Sequence, residues 1–207
     1  MSESGLGFRD QALRSKIEEV LGKNFNEVSS NDLRSLESLQ ASGSNLADLS
    51  GIELCAGLQR LALTSNRIVD LWPLAGLTNL TELLLGANAI PELQPLAGLV
   101  NLPILHLNQN SIEDLSPLED LQKLTRLNLK QNAIHDLRPL AGLPCLEFLD
   151  LSANFISSLK PLLNSPCAES LLELLLLNNP LDKNSRQTVI PALKAKGVKV
   201  IFTDLSL

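Results

Sequence analysis

The chain has 207 residues; 44% are hydrophobic yet only 3% are aromatic, and there is no tyrosine. So much apolar content in aliphatic side chains, mostly leucine, points to one core environment used again and again. The net charge of −6 argues against nucleic acid or anionic lipid as partner, because both need clustered Lys and Arg.

From the N-terminus, Met1 to Arg9 carries no apolar signal core, and no apolar run reaches the roughly 18 residues of a spanning helix. Three cysteines are too few for a disulfide framework. The expectation is a monomeric cytoplasmic protein without membrane insertion; the alternative is a secreted or delivered one whose leader has been removed. Phe8, Ala12, Leu13, Ile17, Val20 and Leu21 fall at helical spacing, with Gly22 as a C-terminal stop. Ser30-Asn31-Asp32-Leu33 reads as a short turn. Residues 1–35 are thus predicted to form an N-terminal helical cap.

From Leu36 onward the chain is a repeat. Leu58, Leu80, Leu102, Leu124 and Leu146 stand 22 residues apart, each opening L-x-x-L-x-L-x-x-N-x-I, as in Leu58, Leu61, Leu63, Asn66 and Ile68. Leu36 opens a degenerate first copy, with Ala41 and Ser44 at the third leucine and Asn positions. The alternating L-x-L predicts a short strand per unit. The Asn after it (66, 88, 110, 132, 154, 179) predicts a turn whose amide satisfies buried backbone groups of the neighbouring unit. The second half reads L-x-P-L-x-x-L, and prolines 73, 95, 117, 139 and 161 suit the first turn of a short helical segment, where no N–H is needed. The seventh copy starts at Leu171, three residues late, which predicts a structural bulge within Ala168 to Ser170. Beyond the repeats at 36–181, residues 182–207 form a second cap. There Asn184 or Ser185 is expected to start a helix ending near Lys196, Gly197 to break it, and Val198 to Phe202 to form a last strand.

The Phe8-to-Lys23 helix, the Asn31-Asp32-Leu33 turn and the 22-residue units with L-x-P-L-x-x-L resemble the internalin-type bacterial leucine-rich repeats. So do the closing Asn179-Pro180-Leu181, Ile190-Pro191 and Gly197 to Val200. The leucine-rich regulatory subunit of protein phosphatase 1 is similar in repeat length. The resemblance implies an α/β solenoid, a leucine-rich-repeat horseshoe with a parallel concave sheet and helical caps, and a function in protein binding.

In that register, the residues between the strand leucines face the concave groove. They give a candidate partner surface of Arg60, Glu82, Leu84, Ile104, His106, Asn108, Arg126, Asn128, Phe148 and Asp150. Leu84, Ile104 and Phe148 have no inward role there, and clustered exposed apolar groups on a rigid sheet mark an interaction surface. The flanking charges either frame a partner or pair with one another across rungs. Leu175 and Leu177 are expected beneath the second cap.

Catalysis finds no support. His106 and His135, the only histidines, fall in different phases of the repeat, and no phosphate-cradling glycine motif is present; no catalytic, cofactor or metal residue is predicted. Cys55 takes a core leucine position. Cys145 and Cys167 hold equivalent positions on adjacent rungs, so they are expected to lie close enough that they can bridge on oxidation, with two free rim thiols as the favoured reading. The function read here is a non-catalytic protein-interaction module; the alternative is a targeting domain or fragment of a larger bacterial effector, adhesin or multidomain enzyme.

Overall fold

The computed structural model of the chain describes residues 7–203; the reading of the extreme N-terminus and the outer ends of the two caps lie outside them. Eight short strands form a single parallel sheet in strict chain order. They are β1 (Ser38–Gln40), β2 (Arg60–Ala62), β3 (Glu82–Leu84), β4 (Ile104–His106), β5 (Arg126–Asn128), β6 (Phe148–Asp150), β7 (Glu173–Leu176) and β8 (Lys199–Phe202). Each 22-residue step lands on its counterpart: Leu61 pairs with Leu83, Leu83 with Leu105, and Leu105 with Leu127. The strand leucines point inward and are buried with the leucines of the second half-repeat in one continuous core running from Phe8 to Val200.

The ladder asparagines do what their spacing predicts. Asn88 Oδ1 accepts the Ile68 amide of the rung before at 3.0 Å, while its Nδ2 donates to the carbonyls of Leu63 and Leu85. In the first rung Ser44 replaces this asparagine, and Asn66 closes the ladder by accepting the amides of Ser44 and Leu46. The sharp turn itself is made one residue earlier. Ser65, Ala87, Gln109, Gln131, Ala153 and Asn178 all take left-handed backbone with φ between +54° and +59°. That conformation is costly for a residue with a Cβ, and the amide network behind it holds it in place. The recurring prolines open single 3₁₀ turns at Trp72–Leu74, Gln94–Leu96, Ser116–Leu118 and Lys160–Leu162, and the short helix α3 (Arg138–Ala141; the helices are numbered in chain order).

The caps differ in detail from the sequence reading. The first helix, α1, spans Gln11–Leu21 rather than starting at Phe8, because Asp10 caps it by accepting the amides of Ala12 and Leu13. Phe8 lies ahead of the helix, buried, and meets the Phe25 ring edge-on at 5.4 Å. Val20 is 48% exposed rather than inward, since only Leu13 and Ile17 are buried on that helix. Gly22 ends it in the left-handed conformation, as expected. A capping box of Ser29 and Asp32 starts α2 (Ser30–Arg34). The three extra residues of the seventh unit form part of a helical turn, α4 (Pro166–Ser170), capped by Ser165 and burying Cys167 and Ala168.

At the far end the chain is helical over 183–195, with a π turn at Ser185–Val189 leading into α5 (Ile190–Ala195). Its N-terminus is capped by Asp182, whose carboxylate accepts the Ser185 amide at 2.6 Å. Neither Asn184 nor Ser185 is the cap: Asn184 is already helical, and Ser185 is buried, its hydroxyl accepting the Leu159 amide. The last strand then joins the same sheet beside β7.

Candidate functional site

Because a strand alternates its side chains, the residues flanking each buried strand leucine emerge on the sheet's free face. One column runs Arg60, Glu82, Ile104, Arg126, Phe148, Glu173 and Lys199; a second runs Ala62, Leu84, His106, Asn128, Asp150, Leu175 and Ile201, each residue in register with the next. All ten predicted surface residues lie at these positions or, for Asn108, just beyond β4. Neither Ile104 nor Phe148 packs into the core: both stay partly accessible, as do Leu84, His106, Asn108 and Asn128. Asp150 is the exception. It is buried, and its carboxylate accepts the Ser152 amide at 2.9 Å, so it shapes the turn after its strand.

The charges do not simply neutralise one another. Among the described residues of these two columns, only Glu173 and Lys199 form an ion pair across rungs, at 2.6 Å. The Arg126 guanidinium instead stacks on the Phe148 ring, with Cζ 4.7 Å from its centroid, an attraction of the cation to the ring face. Beside them, burial holds the His106 imidazole below its ordinary range, reinforced by Arg126 and opposed by Glu82. Gly86 leaves room for the Asn108 side chain, whose oxygen would sit only 2.6 Å from a Cβ built there.

The geometry corrects three expectations. Leu177 is 40% exposed, not covered by the cap. Leu175 lies beside Ile201, so the apolar surface continues to the last strand. Ile201 escapes the sequence reading because β8 comes 26 residues after β7 and no repeat spacing announces its register. Cys145 and Cys167 are both free, and only Cys145 is at the surface. The turn of α4 rotates Cys167 into the core, where burial pushes its thiol up to about 12. Cys55 is buried as expected, its thiol pushed up to about 12 by burial and by Glu53.

His135 lies far from His106 in the repeat, in a surface cleft of about 540 Å³ with Asp136, Arg138, Ser158 and Lys160, where Arg138 is bound to Asp136. Among the described residues no group of three or more His, Cys, Asp or Glu is placed to hold a metal ion, and no helix is long and apolar enough to cross a membrane.

An open parallel sheet built from 22-residue units, with an asparagine ladder behind it, defines a leucine-rich-repeat solenoid. Comparison with known proteins agrees. A family profile for leucine-rich repeats, two copies, matches residues 122–164, while curated protein sequences give no match. Among solved structures, an internalin (inlF) of Listeria monocytogenes superposes with a TM-score of 0.85 at 30% identity, over 96% of this chain and 65% of its own. A second Listeria internalin (inlC2) gives 0.70 at 29% identity, over 94% and 93%. A leucine-rich-repeat protein of Leptospira interrogans gives 0.69 at 27%, over 84% and 51%. The chain is a leucine-rich-repeat solenoid whose structure is similar to that of these bacterial internalins. It spans about two thirds of the first internalin's length and about half of the Leptospira protein's.

Proposed function

We propose that the chain is a monomeric, non-catalytic module that holds a protein partner against its concave face, over β3 to β6. The observation that carries this reading is the partly exposed apolar group of Leu84, Ile104 and Phe148 on a sheet whose strands are locked to one another rung by rung. A surface held this way is ordered before it binds, so little entropy is lost on association. Carried in a longer polypeptide, the same face would serve as a targeting module.

The test is affinity capture with the wild type beside the Ile104→Ala, Phe148→Ala double variant. At least one protein retained by the first and lost by the second is expected, with far-UV circular dichroism and thermal midpoint close to wild type. The same proteins recovered on both would end the concave-face reading.

A further inference from the structure

We propose that the concave face recognises a segment of its partner that pairs a carboxylate with apolar side chains, and that Arg126 fixes the carboxylate. The inference rests on the concave-face reading and adds the chemistry of the occupant.

The first support is the state of Arg126. Its guanidinium lies on the Phe148 ring, its counterpart one rung on. Stacking engages the planar face of a guanidinium and leaves the N–H donors around its edge free, while limiting how the plane can turn. Among the described residues no oxygen accepts a hydrogen bond from those donors and no carboxylate pairs with the cation. The side chain is a donor fork held in place without its acceptor.

The second support is charge. Arg60, Arg126, Lys199 and Lys130, which lies just beyond β5 at the position one rung on from Asn108, stand against Glu82, Asp150 and Glu173 on this face, in a chain whose net charge is −6. Glu173 and Lys199 cancel as an ion pair, and Asp150 is buried on the Ser152 amide, which leaves Arg60, Arg126 and Lys130 against Glu82 at the accessible surface. Arg60 and Lys130, like Arg126, have no acidic partner among the described residues. The face is therefore a locally cationic strip on an acidic protein, complementary to an acidic segment and repelled by a basic one.

The third support is the neighbourhood. Ile104 pairs in register with Arg126, and Leu84 lies one rung away from His106 beside it. A carboxylate seated on Arg126 places its flanking residues over Ile104, Leu84 and Phe148. Covering this patch removes water from Arg126. A partner without an acceptor there leaves a desolvated cation unpaired, which disfavours neutral segments, whereas a bidentate carboxylate satisfies it.

The test is selection from a phage-displayed random peptide library on the full chain, with the Ile104→Ala, Phe148→Ala variant as counter-selector. The expected consensus places Asp or Glu next to Leu, Ile, Val or Phe. A synthetic consensus peptide should bind the wild type about tenfold to a hundredfold more tightly than Arg126→Gln, the worth of one charge-assisted contact. Arg126→Lys should restore part of that, since it keeps the charge and loses the fork. Replacing the peptide's carboxylate by its amide should reproduce the loss. A basic or neutral consensus that still depends on Ile104 and Phe148 would overturn this proposal and leave the concave-face reading standing. Peptides indifferent to that double variant, or no selected peptide at all, would overturn it as well.

Discussion

Asn132 Oδ1 accepts the amide of Ile112, one rung earlier, at 3.1 Å, while its Nδ2 donates at 3.0 Å to the carbonyls of Leu107 and Leu129. One buried side chain therefore satisfies three backbone groups on two rungs. Asn132→Ala leaves the buried Ile112 amide without a partner and takes one of two donors from each carbonyl, since Leu107 keeps Asn110 Nδ2 and Leu129 keeps Asn154 Nδ2. At about 1–3 kcal/mol for an unsatisfied buried group, the expected cost is about 2 kcal/mol. Asn79 also donates to a backbone carbonyl, that of Ala56, but in an exposed setting, so Asn79→Ala should cost under about 1 kcal/mol because water replaces it. Urea unfolding of the two variants separates them; equal shifts would show that the ladder is not what ties rung to rung.

Two glycines make a second contrast. A Cβ on Gly57 would lie 2.1 Å from the Arg34 carbonyl oxygen, which is backbone at the end of α2 in the cap. A Cβ on Gly86 would lie 2.6 Å from Asn108 Oδ1, the movable end of a side chain. Gly57→Ala should destabilise the protein by about 1–3 kcal/mol or more through forced separation of cap and first rung. Gly86→Ala should cost well under about 1 kcal/mol and instead turn the Asn108 amide on the concave face. Thermal midpoints measure the first difference, and an Asn108 side-chain amide resonance the second. A Gly57→Ala protein as stable as wild type would mean that α2 does not rest on this rung.

The register is readable because each leucine has a counterpart 22 residues away, and a one-residue slip would turn every buried leucine outward. The concave columns come from the same alternation, which is why Arg126, Ile104 and Phe148 can be placed on one face. The ends have no counterpart to align with. Whether Asp182 or Asn184 caps the last helix depends on where that helix meets the final rung, and its π turn at Ser185–Val189 leaves no periodic trace. Counting from Cys145 places Cys167 at the rim. The inserted residues instead wind into a helical turn, which turns a position by about 100° per residue and carries the sulfur inward. Pairing between concave charges is also beyond spacing: Arg126 has Asp150 one rung on in the neighbouring column, yet takes the Phe148 ring instead.

The thiols should divide by burial. Only the thiolate attacks a disulfide reagent, and Cys55 and Cys167 are both buried with thiols pushed up to about 12. Native protein at mildly alkaline pH is expected to release one equivalent rapidly with a thiol reagent, from exposed Cys145, and two more on unfolding. Raised folded-state values also set an alkaline limb. The contribution is complete below the unfolded value near 9 and is lost as the pH climbs from there toward about 12, because the unfolded thiols ionise and the folded ones do not. Two fast native thiols would place Cys167 back at the rim.

His106 offers a reading of the concave face that needs no partner. Burial lowers its proton affinity first, the Arg126 cation lowers it further, and Glu82 raises it. A base held below its unfolded value near 6.5 favours folding above that pH, and this contribution is lost as the pH falls through 6.5 toward the folded midpoint, where the unfolded chain binds the proton more readily. The His106 ring resonances should therefore titrate with a midpoint below 6.5 in the folded protein. Arg126→Gln should move the midpoint up while leaving it below 6.5, since burial remains, and Glu82→Gln should move it down. Both substitutions are on the sheet surface, so the pair of opposite shifts reads electrostatics rather than unfolding. A midpoint at or above 6.5 in the wild type, or shifts of the same sign in the two variants, would mean that Arg126 does not stand beside His106 on one continuous face.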